Sequence, residues 1–156
     1  MNYTLKEIKS CSATAENPDA LSGQGGKANN GRKGCPCVEP LAAGVTKTLL
    51  HKLGSGTIRK IWCTIPPEHP EHLRNLILRM YWDGQEIPSV EVPLGDFFGI
   101  AHGRQKNMVT PYVGMQDAKG FNCFIPMPFQ KEVMISIEND SDTDVDMFFY
   151  QIDFTL

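Results

Sequence analysis

A chain of 156 residues with 41% apolar content can bury one substantial core but is short for two, so a single domain over residues 1–156 is expected. Its formal net charge of −3 and pI near 5.8 provide no overall basic surface, which disfavours a nucleic-acid partner. No run approaches the roughly 18 consecutive apolar residues of a membrane span, and no charged then apolar signal segment opens the chain, so no membrane partner and a cytoplasmic location are expected.

Taken in chain order, Tyr3 to Ile8 has the composition of a first strand, and the polar segment 10–34, rich in Ser, Asn and Gly, is expected to be a long loop. Within it, Gly23 to Gly31 is glycine-rich, but its Lys27 is not followed by Ser or Thr, and no strand and helix flank it as a phosphate cradle requires. Lys27, Arg32 and Lys33 are expected to be solvated loop charge. From residue 40 to 156, short strand candidates follow one another between Gly, Pro and Asp signals: Thr46 to Leu53, Thr57 to Ile65, Leu76 to Trp82, Ser89 to Val92, Phe121 to Ile125, Val133 to Glu138 and Met147 to Leu156.

In the last of these, Phe148, Tyr150, Ile152, Phe154 and Leu156 fall on one face, which should point to the core. Val133, Ile135 and Ile137 alternate in the preceding strand, and the polar turn Asn139 to Asp142 suggests that the two form a hairpin. Leu76, Leu78, Met80 and Trp82 share a face, which predicts a core role for Trp82. Pro126 and Pro128 cannot donate ladder hydrogen bonds, so their segment should leave the sheet or run along its edge. Gly95 to Ala101 is expected to form a short helical turn. The pattern predicts an all-β fold: a jelly-roll-like antiparallel β-sandwich of about eight strands with a long N-terminal loop.

The acidic, aromatic stretch from Tyr81 to Phe97 is the candidate sugar site. Aromatic faces stack on sugar rings while carboxylates accept hydroxyl hydrogen bonds, which nominates Tyr81, Glu91, Asp96 and Phe97 as substrate-binding. Asp83-Gly84 reads as a turn dipeptide, and Asp96 is a candidate cap for the short turn. Asp83, Glu86, Glu91 and Asp96 are the only acids clustered beside aromatics, whereas retaining glycoside hydrolysis needs two carboxyl groups about 5–5.5 Å apart. The five cysteines are odd in number without a secretion signal, so reduced thiols are expected. Cys35-Pro36-Cys37 lacks a second ligand pair for zinc, with His51, His69, His72 and His102 scattered, so no metal or other cofactor is expected. Cys63 and Cys123 lie in strand patterns with no nearby base, which argues against a cysteine nucleophile.

Three motifs, Gly56 to Ile65, the stretch joining Met80-Tyr81-Trp82-Asp83-Gly84 to Gly95-Asp96-Phe97-Phe98-Gly99, and Asn122 to Phe129, resemble the N-terminal half of glycoside hydrolase family 172. The resemblance spans Tyr3 to Leu156. It implies two jelly rolls in series, trimeric or hexameric assembly, sites near a subunit boundary, and activity as an α-D-fructofuranosidase, difructose-dianhydride synthase or hydrolase, or α-D-arabinofuranosidase. The partners implied are a furanoside sugar or oligosaccharide and further copies of the chain. The family's two catalytic glutamates belong to the second jelly roll. Laying this chain's strand-turn motifs on those of that second half puts Ile77 and Gly95 where the glutamates would stand, so the catalytic pair is expected beyond Leu156 or on another chain. For this half, the resemblance implies structural roles for Trp62, Trp82 and Phe129. The family's N-terminal loop contributes to its pocket through a Gly-Gly-Asn-x-Asp pattern; here Gly25 to Gly31 lacks that Asp. A stand-alone sugar-binding or assembly jelly roll is the alternative.

Overall fold

The computed structural model describes residues 7–31, 34–66, 70–104, 106–117 and 119–156. Most of the expected strand at Tyr3 to Ile8, together with Arg32, Lys33 and His69, lies outside the described residues. Two antiparallel sheets form the fold. The larger takes the order β1 (Ser10–Thr14), β11 (Phe149–Thr155), β3 (Gly56–Thr64), β8 (Gly120–Cys123), β7 (Val113–Gln116), β6 (Met108–Val109), with β9 (Met127–Phe129) pairing on β3. The smaller takes the order β2 (Thr46–Leu53), β10 (Glu132–Asn139), β4 (Leu76–Trp82), β5 (Val90–Pro93). Short helical turns α1 (Ala28–Gly31), α2 (His72–Asn75) and α3 (Leu94–Phe97), and a 3-10 turn at Ala101–Gly103, occupy the connections.

The all-β sandwich follows from alternation. Tyr150, Ile152 and Phe154 of β11 and Val133, Ile135 and Ile137 of β10 are buried, as are Leu76, Leu78 and Met80 of β4, so the inward faces of both sheets meet in one apolar core. Trp82 packs against that core and Phe129 lies within it, in line with their expected structural roles. β9 keeps Pro128 on a strand paired only with β3, the edge position that a residue without an N–H requires.

The alternation is broken twice, each time by a register shift. Between Asp153 and Phe154, β11 skips a residue of β3, so Ile58 and Ile61, three apart in sequence, both reach the core. Between Ile135 and Ser136 the same device on β2 lets the consecutive Leu49 and Leu50 both be buried.

Two sequence expectations are corrected. Ser10–Thr14 belongs not to a loop but to a strand paired with β11 from Ser10↔Thr155 to Thr14↔Gln151, because backbone pairing along an available sheet edge outweighs the polar composition of Ser-Cys-Ser-Ala-Thr. The last two long strands do not form a hairpin: β10 pairs with β2 and β4, and β11 with β1 and β3, in opposite sheets. The polar stretch between them crosses from sheet to sheet, held by ladder contacts Leu41↔Val145 and Val38↔Phe148. Asn139, fully buried, fixes the crossing by donating to the carbonyls of Leu41 (3.0 Å) and Thr143 (2.8 Å) and accepting from Ser141 Oγ (2.7 Å).

Asp83-Gly84 is a turn, as expected, with φ of 57° and 83°. The Asp83 carboxylate accepts hydrogen bonds from the backbone N–H of Lys131 (2.7 Å), Gln130 (2.8 Å) and Glu132 (3.4 Å), tying this turn to the start of β10. These bonds, Lys131's first, hold its pKa below the ordinary aspartate value.

Replacing Asn139 by Leu removes its three side-chain hydrogen bonds, while the Leu41 carbonyl keeps the Val145 N–H and the Thr143 carbonyl keeps Ser141 Oγ, and should lower the unfolding free energy by about 1–3 kcal/mol in a urea titration. Because the Asp83 carboxyl is more acidic folded than unfolded, its stabilisation is present above the unfolded value of about 3.9 and is lost as pH falls through the folded one. Asp83→Asn should therefore be less stable than the parent at pH 7 and flatter in its pH dependence below about pH 4, as read by thermal melts across that window.

Candidate functional site

The bulge in β3 decides which side chains leave the core. Beyond it, Ile61 and Cys63 point inward, so Lys60, Trp62 and Thr64 point outward. Trp62, expected to be structural, thus stands half-buried on the outer face of the larger sheet. Register places it in a row with Thr14, Gln151 and Asn122, and a parallel row contains Ser12, Asp153 and Lys60. The outer face therefore combines an indole with hydroxyls, amides and a carboxylate. Lys60 Nζ lies 6.0 Å from the ring centroid of Phe124, the residue that follows β8.

The chain after β1 folds over this face. A tight bridge between Thr14 and Asn17 reverses it, and the Asn17 side chain both donates to the Leu21 carbonyl and accepts from the Leu21 N–H, each at 3.0 Å. The returning loop brings Gly25 and Gly26 against Trp62, enclosing a hollow of about 340 Å³ whose polar wall is formed by Ser12, Thr14, Glu16, Asn17 and Gln151. Gly26 has φ +71°, a conformation that L side chains rarely adopt, so the loop passes the hollow without a protruding side chain at that point. Gln151 Nε2 donates to both Asp153 carboxylate oxygens (2.9 and 3.1 Å). Glu16 Oε1 is buried in its setting with no hydrogen-bond partner among the described residues.

A larger cavity of about 550 Å³ adjoins it, sharing Pro36 and Tyr150. Its lining is dominated by Ala, Val, Leu and Pro side chains; the groups able to bond a polar ligand are the Cys35 and Cys37 thiols, Glu39, Lys47 and Tyr150. Burial raises the Cys37 pKa, and Glu39 beside it adds to the effect, so this thiol is neutral at pH 7. Burial also pushes Cys63 and Cys123 up, leaving both as small apolar groups of the core. Among the described residues no group of three or more His, Cys, Asp or Glu side chains could hold a metal, and no helix is long and apolar enough to cross a membrane.

The residues nominated from the sequence lie elsewhere. Tyr81 and Glu91 share the outer face of the smaller sheet, across the sandwich from Trp62. There Glu91 pairs with Arg79 Nε at 2.9 Å, and Arg79 also bonds Glu138, so one guanidinium is held between two carboxylates. Asp96 sits inside α3 and pairs with Arg74 instead of capping the turn. Phe97 packs edge to face on the buried Phe98, with ring centroids 5.0 Å apart. Tyr81 and Glu91 are brought onto one face and Asp96 and Phe97 onto one turn, but none of the four lines the Trp62 hollow. Trp62 was hidden from sequence reading by the bulge; the readable signal was the pair Ile61 and Cys63, which forces Trp62 to the opposite face.

Since Trp82 packs on the core and Trp62 does not, Trp82→Ala should cost about 3 kcal/mol in chemical denaturation and Trp62→Ala less than half as much.

A search of curated proteins finds no match to the chain. The family model described as GH172 domain-like matches residues 38–152, a stretch that contains ten of the eleven strands in whole or part and leaves out β1 and the loop over Trp62. That stretch covers well over half of the sequence, and the chain belongs to the GH172 domain-like family, a glycoside-hydrolase-related domain.

Proposed function

We propose that the chain is the N-terminal jelly-roll domain of a furanoside-active glycoside hydrolase, and that its own contribution is to bind the sugar at the Trp62 hollow while the catalytic glutamate pair is supplied from outside this chain. The observation that carries this reading is the hollow itself. An outward tryptophan beside hydroxyl, amide and carboxylate groups matches a sugar ring, which is apolar on its faces and polar around its edge. Among the described residues, Glu16 is the one carboxylate lining the hollow. One carboxylate suits hydrogen bonding to hydroxyls, whereas retaining hydrolysis needs two. The resemblance to glycoside hydrolase family 172 supports the same division of labour, with Ile77 and Gly95 at the positions compared with the catalytic glutamates; the loop Gly25 to Gly31 departs from the family's pocket pattern in lacking its Asp, so the resemblance lends that loop no support.

A second reading, assembly of several copies, is favoured by the exposed Val109, Tyr112, Phe124 and Ile125 at the β6–β8 end of the larger sheet. The two readings are compatible, since the family resemblance implies a trimer or hexamer.

Calorimetric titration with fructofuranosides and arabinofuranosides should give saturable binding. Trp62→Ala should weaken it at least about tenfold, which corresponds to about 1.4 kcal/mol, and Tyr81→Ala should leave it unchanged. Silence across the furanoside panel, or undiminished binding by Trp62→Ala, would contradict the assignment.

A further inference from the structure

We infer that the ligand is an oligosaccharide of at least three units lying along β1, with Trp62 at one end of its track and Arg59 at the other. This rests on the sugar-binding reading above and specifies the substrate class. Two further hollows continue from the Trp62 hollow on the same side of the larger sheet. One, of about 250 Å³, lies between β1 and the returning loop; the other, of about 300 Å³, lies over β1, β11 and β3 beside Arg59. Ser12 lines all three hollows, Asn17 and Gly25 are common to the first two, and Ser10 to the last two. Shared walls set the three hollows side by side along β1, the arrangement that successive units of one chain would need.

The chemistry changes along it in the way a sugar chain can use. The first hollow offers the indole of Trp62 and a Glu16 oxygen that has no partner among the described residues. The middle hollow offers small hydroxyls, Ser10, Ser12 and Ser22, with Gly23 and Gly25 keeping the wall low. The last offers Arg59 with Asp153 and Thr155. Arg59 is the extra residue of the β3 bulge, and among the described residues its side-chain hydrogen bond is the one from Nε to Thr155 Oγ1 at 3.2 Å. That bond fixes the plane of the guanidinium and leaves its Nη donors for a ligand's hydroxyl or carboxylate oxygens. A peptide would want apolar side-chain pockets at alternate positions; here every hollow carries hydroxyl, amide or charged groups beside its apolar wall, the mixture that fits a sugar chain.

The test is a length series of fructofuranose and arabinofuranose oligosaccharides, from one unit to five, titrated calorimetrically into the full chain and into Arg59→Gln. Affinity should rise with each unit up to three, by thirtyfold or more in total, and then level off. Arg59→Gln, an exposed substitution whose folding is checked by its melting midpoint, should bind the single sugar as the parent does and lose at least fivefold for the three-unit ligand. A series in which one unit binds as tightly as three, or an Arg59→Gln variant that keeps the full gain with length, would overturn the extended track while leaving the Trp62 site standing. Absence of binding by every member would instead remove the sugar-binding reading on which the inference rests.

Discussion

The outer face of the larger sheet depends on one extra residue in β3. Strand side chains alternate with a period of two, so a single insertion reverses every side chain beyond it. With Ile58 inward and no bulge, Trp62 would enter the core and Cys63 would face solvent. The register shift opposite Asp153 and Phe154 puts Ile58, Ile61 and Cys63 all inside and sends Trp62 and Lys60 out. Burying the isoleucines and the cysteine stabilises the core, and the same arrangement presents the indole to the loop that folds over it. Core packing and site geometry are two results of one backbone irregularity.

The rest of the sandwich holds this face in place. β11 lies between β1 and β3 and carries Gln151 and Asp153 outward while Ile152 and Phe154 fill the core. Asn139 fixes where the chain leaves the smaller sheet, and so where β11 begins its course in the larger one. The Asp83 carboxylate clamps the opposite end of β10 to the turn after β4. Close packing reaches the far end of β3, where a Cβ on Gly56 would stand 2.5 Å from the Thr155 carbonyl and 2.6 Å from the Phe129 ring. β3 is thus seated against β11 and β9 at the end that precedes its bulge.

Much of this was legible in the sequence where alternation is strong and uninterrupted. β4, β10 and β11 follow the expected faces, and the proline-bearing β9 takes an edge. β1 was not legible, because three of its five residues are Ser or Thr and its strand character comes from pairing with β11. β6 and β7 are short, and their few apolar residues leave little periodic signal. The hairpin expected between β10 and β11 failed for a different reason: a polar stretch resembling a turn is the path of a sheet-to-sheet crossing organised by Asn139. The carboxylates of the Tyr81 to Phe97 stretch were conspicuous in sequence because they are clustered; in space Glu91 and Asp96 are each paired with an arginine. The residues that build the Trp62 hollow are dispersed from Ser12 to Gln151, so no local pattern announces them.

The most direct measurement of the outward tryptophan is fluorescence of a Trp82→Phe variant, in which Trp62 is the sole indole. Its emission should be quenched readily by acrylamide in the free protein and become protected and blue-shifted on titration with a furanose oligosaccharide. Emission that resists the quencher from the outset and does not respond to sugar would contradict both the placement of Trp62 on the outer face and its role as the binding platform.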